Sequence, residues 1–288
     1  MSDTEIGFHR RATRERVGPF DVHGGRFAIE CNEPDIAAQL EVLLGDLRAP
    51  ADPAASQLVV YTVDRHGPAW ASHPWGVWRD RTPCETALTP ASVIPYVLWE
   101  ITRLLLENVP PDVPVHAGAI ALDGKSVLLV GTPGGRTARL TASLMGRGWG
   151  YLSDEVTALR LGGDQVVVEP FWRPLKVRRR EAVDDRLGAD EETTFVPASS
   201  LGSLSPAAPL AAIVLPVLAS GNSDDIEALS PADTLARLTE HLPVRGAPGR
   251  RAFTALISVA ETLPGHGLRI HDLDEADTQL RGLVGSMP

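Results

Sequence analysis

The chain has 288 residues, of which 43% are hydrophobic, and its formal net charge at pH 7 is −10. This length allows one large domain or two smaller ones with a substantial core. The acidic balance argues against binding to duplex nucleic acid or to an anionic membrane surface, because both require a basic face on the protein.

Only two cysteines are present, Cys31 and Cys84. Two thiols cannot build a disulfide framework, and no histidines stand at a spacing that would complete a zinc site with them. The first residues are polar and charged, unlike a signal peptide, and no apolar run reaches the length of a membrane span. We therefore expect a disordered tail over residues 1–16 and a cytoplasmic protein with reduced thiols.

Residues 17–112 predict a small α+β region. The stretch "FDVHGGRFAIEC" indicates a hairpin with Gly24-Gly25 as its turn, and "QLVVYTV" indicates a strand. Apolar residues at helical spacing in "EPDIAAQLEVLLGDLR" predict an amphipathic helix. A second helix is predicted in "TPASVIPYVLWEITRLLLENV", with its regular part starting at Pro95.

Residues 113–288 predict an α/β domain. The apolar runs "VHAGAIAL" and "SVLLVG" are typical of strands that are covered on both faces of a sheet. Further strands are predicted in "WGYLSDEVTALRL", "QVVVEPF", "LAAIVLPVL" and "LRIHDL", and helices in "TARLTASLMGRG", "SPADTLARLTEHL", "RRAFTALISVAETL" and "DEADTQLRGLV". Residues 178–207 mix charged and small residues and predict a long exposed loop, before a C-terminal part that is mainly helical.

A glycine-rich turn lies between one of these strands and the following helix, in "VLLVGTPGGRTARLT". The order resembles that of a phosphate-binding loop, G-x-x-x-x-G-K-[ST], in which backbone N–H groups hold phosphate, the lysine reaches the outer phosphates and the hydroxyl holds Mg²⁺. Gly131 follows the apolar strand, and Gly134 and Gly135 give the turn its freedom. These glycines predict nucleotide binding here.

Two registers of this loop remain open. Counting from Gly131 places Arg136 at the second motif glycine, Thr137 at the lysine and Ala138 at the metal-binding hydroxyl. Deleting one loop residue instead reads "GRT" as "GKT", so that Arg136 replaces the lysine and Thr137 holds the metal. Loss of two charge-assisted contacts would cost roughly 10²–10⁴ in rate if both act in the transition state.

The segment resembles the kinase domain of the HPr kinase/phosphorylase family, and especially its relatives in bacterial peptide-modification gene clusters. The resemblance rests on "VHAGAIALDG", "SVLLV", "GTPGGRTAR", "LTASLMGRG", "WGYLSDE" and "PFWRPLK", which stand in the family's order. It is good over residues 113–177, extends to the C-terminus only in element order, and is loose over residues 20–112. The fold it implies is a P-loop domain of the HPr kinase and PEP carboxykinase type.

The resemblance also implies roles for single residues. Ungapped alignment matches the helix leucines and Gly148, which favours the register with Thr137 at the lysine position. Asp154 and Glu155 match acids that bind Mg²⁺ and act as base toward an accepting hydroxyl, although an ordinary acidic strand end is the simpler interpretation. His116 matches the histidine that opens the family's first strand, where a structural role is the alternative.

A basic cluster begins at Arg173 and Lys176 and continues through residues 178–180. It is interpreted either as a solvated face or as a site for an anion or an acidic peptide. With the loop lysine missing, the preferred hypothesis is a catalytically impaired, pseudokinase-like protein that binds a protein or peptide partner. The alternative is an active phosphotransferase that uses ATP and Mg²⁺ to modify a Ser or Thr hydroxyl, with Asp154 as base and Arg136 as phosphate cation. A purely structural subunit and a homo-oligomer also remain open.

Overall fold

The computed structural model describes residues 13–50, 58–67, 71–108, 113–131, 136–162, 165–178, 193–218, 226–242, 250–270 and 272–286. The chain divides into two compact units, Met1–Asn108 and Val109–Pro288. No helix in these ranges is both long enough and apolar enough to cross a membrane.

The first unit is a five-stranded sheet with two helices. Its strands, in sheet order, are β1 (Glu15–Val22), β2 (Gly25–Cys31), β3 (Val59–Arg65), β4 (Trp75–Arg79) and β5 (Thr82–Leu88), and its helices are α1 (Pro34–Leu43) and α2 (Pro90–Asn108). Strands β2 and β3 are parallel, and the other neighbours are antiparallel. Both helices lie against this sheet, and α1 buries Ala37, Leu40 and Leu43.

Four details of the first unit differ from the sequence prediction. Strand β1 begins at Glu15, inside the predicted tail of residues 1–16, because Glu15 and Arg16 pair with Cys31 and Glu30 of β2. The β1–β2 turn is formed by His23 and Gly24, which have φ angles of 51° and 83°, so the turn lies one residue earlier than predicted. Helix α2 is regular from Pro90 and passes through Pro95, because its buried face, which includes Val93 and Val97, holds the first turns in place. The prediction that the regular part starts at Pro95 is wrong. Strand β5 was not predicted, since "TPCETAL" is largely polar.

The second unit is built on a nine-stranded mixed sheet. Its strands are β6 (Val113–Val115), β7 (Gly118–Leu122), β8 (Lys125–Leu129), β9 (Gly150–Ser153), β10 (Thr157–Gly162), β11 (Gln165–Glu169), β14 (Ala208–Leu218), β15 (Ile226–Leu229) and β16 (Gly265–Ile270). A separate two-stranded ribbon consists of β12 (Leu175–Arg178) and β13 (Thr193–Val196). The helices are α3 (Arg136–Met145), α4 (Pro231–Glu240), α5 (Arg250–Thr262) and α6 (Leu273–Ser286).

Helices cover both faces of this sheet. Strand β14 is central and runs parallel to β8 on one side and β16 on the other. Val127 and Leu129 of β8 pack in a cluster with residues of α3 and α6, whereas Leu128 and Val130 pack with residues of α4 and α5. Burial on both faces explains the uninterrupted apolar run of β8. The predicted mixed α/β class is confirmed at this level.

The predicted exposed loop at residues 178–207 is wrong at its C-terminal end. Strand β13 pairs with β12 from Leu175↔Val196 to Arg178↔Thr193, and Ala198 in the following 3₁₀ turn is fully buried. Residues 179–192 lie outside the described ranges. The C-terminal part is also less helical than predicted, because β14 and β16 supply the middle of the sheet. The predicted N-cap at Ser230 is confirmed by a 3.1 Å hydrogen bond from the Asp233 N–H to the Ser230 hydroxyl.

Candidate functional site

The sheet register brings several predicted site residues to one edge of the second unit. Strand β7 is antiparallel to both β8 and β9, with Gly118 opposite Leu129 and Ala119 opposite Ser153. The start of β7 therefore lies beside the ends of β8 and β9. Gly131 follows β8, and Asp154 follows β9, so the topology places both near the start of β7.

Thr137, in the first turn of α3, lies close to Gly131. A methyl group added at Gly131 would overlap the Thr137 hydroxyl. The absence of a side chain at Gly131 is thus required by the close approach of α3. Gly134 and Gly135, predicted to hold phosphate, lie outside the described residues, as does the side chain of Arg136. Ala138 is buried, with 7% of its surface exposed.

Gly118 is the meeting point of three side chains. A Cβ atom added to it would lie 2.8 Å from the Thr141 hydroxyl, 3.0 Å from the Thr137 methyl and 3.7 Å from Asp154 Oδ1. Thr137 and Thr141 are one helical turn apart and face the same strand. The missing side chain at Gly118 therefore allows α3 to pack closely against the start of β7, with Asp154 beside the contact.

Asp154 is a buried carboxyl group with incomplete compensation. Only 8% of the residue is exposed. Burial raises the pKa of Asp154 to about 6, and the charge of Glu155 adds to this, while Arg173 and the Glu155 N–H favour the ionised form. Such a group changes its charge close to neutral pH, which suits proton transfer or cation binding.

Asp154, Glu155 and Val156 form a strained three-residue turn with Glu155 at its centre. Glu155 has a φ of 69°, and the Val156 N–H donates a 2.9 Å hydrogen bond to the Asp154 carbonyl across it. A three-residue turn with positive φ is rare outside glycine and costs roughly 1–3 kcal/mol. The turn sends the two acids in different directions: Asp154 is buried, whereas the Glu155 side chain is 47% exposed and pairs with Arg173.

Arg173 is buried rather than part of an exposed basic face. The residue is 6% exposed, its NH1 group pairs with Glu155, and its buried Nε has no hydrogen-bond partner. The interpretation of a single solvated cluster from Arg173 to residue 180 is therefore wrong at Arg173. The guanidinium is buried because it forms an ion pair with Glu155 in the turn after β9. Lys176 lies on β12 with an exposed side chain.

His116, between β6 and β7, belongs to the same neighbourhood. Its backbone N–H donates a 2.6 Å hydrogen bond to the His241 carbonyl at the end of α4. Burial lowers the pKa of the His116 imidazole, and the nearby Glu155 opposes this effect. The structure thus gathers Thr137, Asp154, Glu155, Arg173 and His116, all singled out in the sequence, at one sheet edge.

Two residues at this edge were missed by sequence reasoning, Gly118 and Thr141. Gly118 occurs in the quoted motif "VHAGAIALDG", but its close contact with α3 has no sequence signal. Thr141 has one weak signal, because it stands four residues after Thr137 and hence on the same helix face.

The residues at this edge provide few metal ligands. No group of three or more His, Cys, Asp or Glu side chains that could hold a metal occurs among the described residues. Mg²⁺ needs fewer protein ligands, because it keeps several waters and takes phosphate oxygens from its substrate. One buried carboxylate that lacks full compensation, with hydroxyl groups beside it, fits that requirement.

Comparisons with known proteins give distant likenesses among solved structures alone. No family model matches the chain, and no curated protein matches it. Among solved structures, the chain is similar to the Hpr(Ser) kinase/phosphatase from Coxiella burnetii, with 12% sequence identity and a TM-score of 0.35, over 59% of this chain and 93% of that chain. A likeness this distant establishes neither a shared fold nor a shared function.

Proposed function

We propose that the second unit is an HPr-kinase-related domain that binds a phosphate-bearing ligand at the start of α3, with nucleotide and Mg²⁺ as the ligand class, and that its phosphoryl transfer is impaired. The convergence of Gly131, Thr137 and Asp154 beside Gly118 carries this proposal. A strand end, a glycine-rich turn and a helix start form an anion site through their N–H groups and the helix dipole. The buried acid beside them supplies the place for the cation that a polyphosphate needs.

Thr137 suits the metal-side role better than the lysine role. Its side chain packs between Gly131 and Gly118, with the hydroxyl on the Gly131 side and the methyl on the side of Asp154 Oδ1. A group at the lysine position must instead extend along the phosphates. The compact packing of Thr137 supports the register that reads "GRT" as "GKT". Asp154 would then hold Mg²⁺, which supplies charge neutralisation at the phosphates, and the Thr137 hydroxyl would contribute from beside Gly131.

The groups around Asp154 and Glu155 are the reason for proposing that phosphoryl transfer is impaired. Glu155 is paired with Arg173, which leaves Asp154 as the buried carboxylate beside the start of α3. A cation on the phosphate side would have to come from Arg136. An arginine cannot be assumed to replace a loop lysine, because its planar, forked head differs from a compact ammonium group. Binding is therefore retained more readily than chemistry.

The test is thermal stability with and without Mg²⁺–ATP, ADP and GTP at millimolar concentration. A ligand at 100 times its dissociation constant adds roughly 2.7 kcal/mol to native stability. We expect a rise in melting temperature that is lost in Gly134→Asp and in Asp154→Asn with Mg²⁺. Val42→Asp, an exposed change in the first unit, is the control and should keep the rise. No rise with any of the three nucleotides would contradict the proposal.

An active phosphotransferase is the second candidate, and the pKa of Asp154 favours it. A carboxyl group with a pKa of about 6 can accept a proton from a Ser or Thr hydroxyl at neutral pH. Incubation with labelled ATP and candidate peptides tests this. Phosphate incorporation that disappears in Asp154→Asn would replace the impaired function with the active one.

We further propose that the partner is a protein or peptide, contacted near the exposed Lys176 on β12. Lys176 is one of only two lysines in an acidic chain, so it offers a local attraction for an acidic segment. Pull-down with the candidate partner should weaken in Lys176→Glu and persist in Lys125→Glu, the matched lysine on β8. Equal loss in both variants would contradict this contact.

A further inference from the structure

One pair of antiparallel strands in the second unit is broken in its middle. Strand β6 pairs with β10, with Val115 opposite Thr157, and β7 pairs with β9, with Ala119 opposite Ser153. Extending the first register along both chains leads to the second pair. The two pairings therefore share one register, and neither chain has an extra residue at the break. An inserted residue, as in a β-bulge, does not explain the interruption.

At the break, a side chain takes the place of a backbone partner. The shared register puts Ala117 opposite Glu155, but the Glu155 N–H bonds to the Asp154 carboxylate. The buried carbonyl of Ala117 accepts a 2.9 Å hydrogen bond from the Thr157 hydroxyl. Because a buried carbonyl needs a donor, the Thr157 hydroxyl supplies what the interrupted strand pair does not.

Ser153 holds the Thr157 hydroxyl in place. The two hydroxyl oxygens lie 2.5 Å apart, and both residues are fully buried. A hydroxyl group has a single proton to donate. Because Thr157 donates its proton to the Ala117 carbonyl, Ser153 must be the donor to Thr157. The hydrogen bonds therefore run in one direction, from Ser153 to Thr157 to Ala117, and they join the two ends of the turn at residues 154–156.

We propose that Thr157 is a positioning residue for Asp154, supported by Ser153, and that the two hydroxyls hold the turn in the shape that presents the Asp154 carboxylate. Without the Thr157 hydroxyl, the buried Ala117 carbonyl would lack a donor, and the opposite strand would be drawn towards it at the expense of the turn. That the carboxylate so placed serves Mg²⁺ rests on the proposed function, whereas the hold on the turn does not.

Amide hydrogen exchange of the protein without ligand or metal tests the hold on the turn. Thr157→Val keeps the shape of the side chain and removes its hydroxyl. The reporter is the Val156 N–H, which bonds to the Asp154 carbonyl within the turn, and the reference is the Val130 N–H, which bonds to the Val214 carbonyl in the sheet. We expect Val156 exchange to quicken about tenfold relative to Val130, and Thr157→Ser to restore most of the protection.

A matched control separates this effect from a general loss of stability. Thr234 in α4 is also fully buried, but its hydroxyl bonds within its own helix. Thr234→Val should therefore change Val156 and Val130 exchange equally. Ser153→Ala is the milder second variant, and it should quicken Val156 exchange relative to Val130 roughly threefold. An unchanged ratio of the two rates in Thr157→Val, or in Ser153→Ala should Thr157→Val not fold, would overturn the proposal.

The Mg²⁺ dependence of nucleotide binding supplies a readout that a purely structural role would not move. We expect Thr157→Val to weaken Mg²⁺–ADP binding about tenfold, as is usual when the support of a ligand-holding group is lost, while ADP binding in EDTA stays within about twofold of wild type. Thr157→Ser should bind like wild type. Should wild type bind no nucleotide, the proposed function fails, and the exchange result alone decides on the hold on the turn. Should wild type and Thr157→Val bind Mg²⁺–ADP equally, the positioning role fails and the proposed function stands.

Discussion

Among the described residues, each unit of the chain buries one acidic side chain, and the partners of the two acids differ. Glu100, on α2 of the first unit, is 1% exposed, and Asp154, after β9 of the second, is 8% exposed. Burial of a charge is costly unless partners compensate it. Comparing the partners of these two acids distinguishes a structural acid from one that faces a site.

Glu100 is enclosed by groups that can donate to it. The Tyr96 hydroxyl donates to its Oε1 at 3.3 Å, and an Arg103 nitrogen lies 2.9 Å from its Oε2, at an angle that makes an ion pair rather than a hydrogen bond. The Cys84 thiol also lies beside it. The cluster is closed on the outside by Trp99, which contacts Tyr96 on one side and Arg103 on the other.

Asp154 has no such enclosure. Its nearest cation, Arg173, is already paired with Glu155, and its neighbour Thr141 keeps an unused hydroxyl. The turn that presents it is strained, with a positive φ at Glu155. A buried acid is therefore not in itself a sign of function. What distinguishes Asp154 from Glu100 is the strained turn that presents it and a nearby cation that is already paired with a second acid.

Replacing Glu100 by glutamine should give the largest effect. The change leaves Arg103 without its anion, and breaking a buried pair in this way costs about 3 kcal/mol, the lower end of the usual range since Arg103 is partly exposed. Urea unfolding of Glu100→Gln measures the loss. Glu107→Gln, in the half-exposed pair with Arg79, is the control and should cost less than about 1 kcal/mol. Equal costs would mean that Glu100 is not closed in.

Replacing Asp154 by asparagine should have the opposite sign at neutral pH. The pKa of Asp154 is raised from 3.8 to about 6 in the folded protein. Between these values the folded state binds more protons than the unfolded state, so stability falls as pH rises through this interval. Above pH 6 wild type carries the full penalty, and asparagine avoids it. We expect Asp154→Asn to be about 2 kcal/mol more stable at pH 7.5.

The pH dependence is what makes this second prediction specific. The advantage of Asp154→Asn should shrink steadily from pH 6.5 to pH 4, where folded wild-type Asp154 is largely protonated and most of the penalty is gone. Unfolding curves in metal-free buffer at several pH values measure it. An asparagine variant that is less stable than wild type at pH 7.5 would show that Asp154 is compensated as fully as Glu100, and the contrast between the units would be lost.

The sequence allowed more of the fold than of the site to be predicted. Strands such as β8 and β14 were found because burial on both faces leaves an apolar run, and α4 because Ser230 and Pro231 mark its start. Strands β5, β6, β12, β13 and β15 were missed. They lie at edges or in a small ribbon, where polar residues are tolerated and no periodic pattern is imposed.

The sequence allowed single residues of the candidate site to be identified, but not the contacts that they make with one another. Order in the chain placed Gly131 and Asp154 at strand ends, yet nothing in it showed that Arg173 turns inward to Glu155. The contact of Thr141 with Gly118 was equally hidden, because it depends on which residue of β7 packs against α3. Contacts between distant segments decide such details, and a single sequence does not contain them in readable form.

Replacing Arg173 by methionine tests the contrast between Asp154 and Glu100 with a smaller expected loss of stability. Arg173 lowers the pKa of Asp154, so its removal should raise that pKa above its present value of about 6. Its partner Glu155 is half exposed and can return to water, which limits the stability loss to about 1 kcal/mol. Carboxyl titration by NMR, with Lys176→Met as the control, measures the shift. An unchanged pKa would mean that Arg173 serves Glu155 alone.

Thiol chemistry at Cys84 gives the smallest effect and tests whether the Glu100 cluster is closed. Burial raises the pKa of Cys84, and the charge of Glu100 raises it further, so the reactive thiolate is scarce at pH 7.5. Glu100→Gln removes that charge, which lowers the pKa of Cys84 and should speed modification by Ellman's reagent a few-fold. Cys31 is fully buried and does not compete. Glu107→Gln should leave the rate unchanged. Rapid modification of wild-type Cys84, at the rate of a free cysteine, would show an open cluster in the first unit, and incomplete enclosure would then no longer single out Asp154.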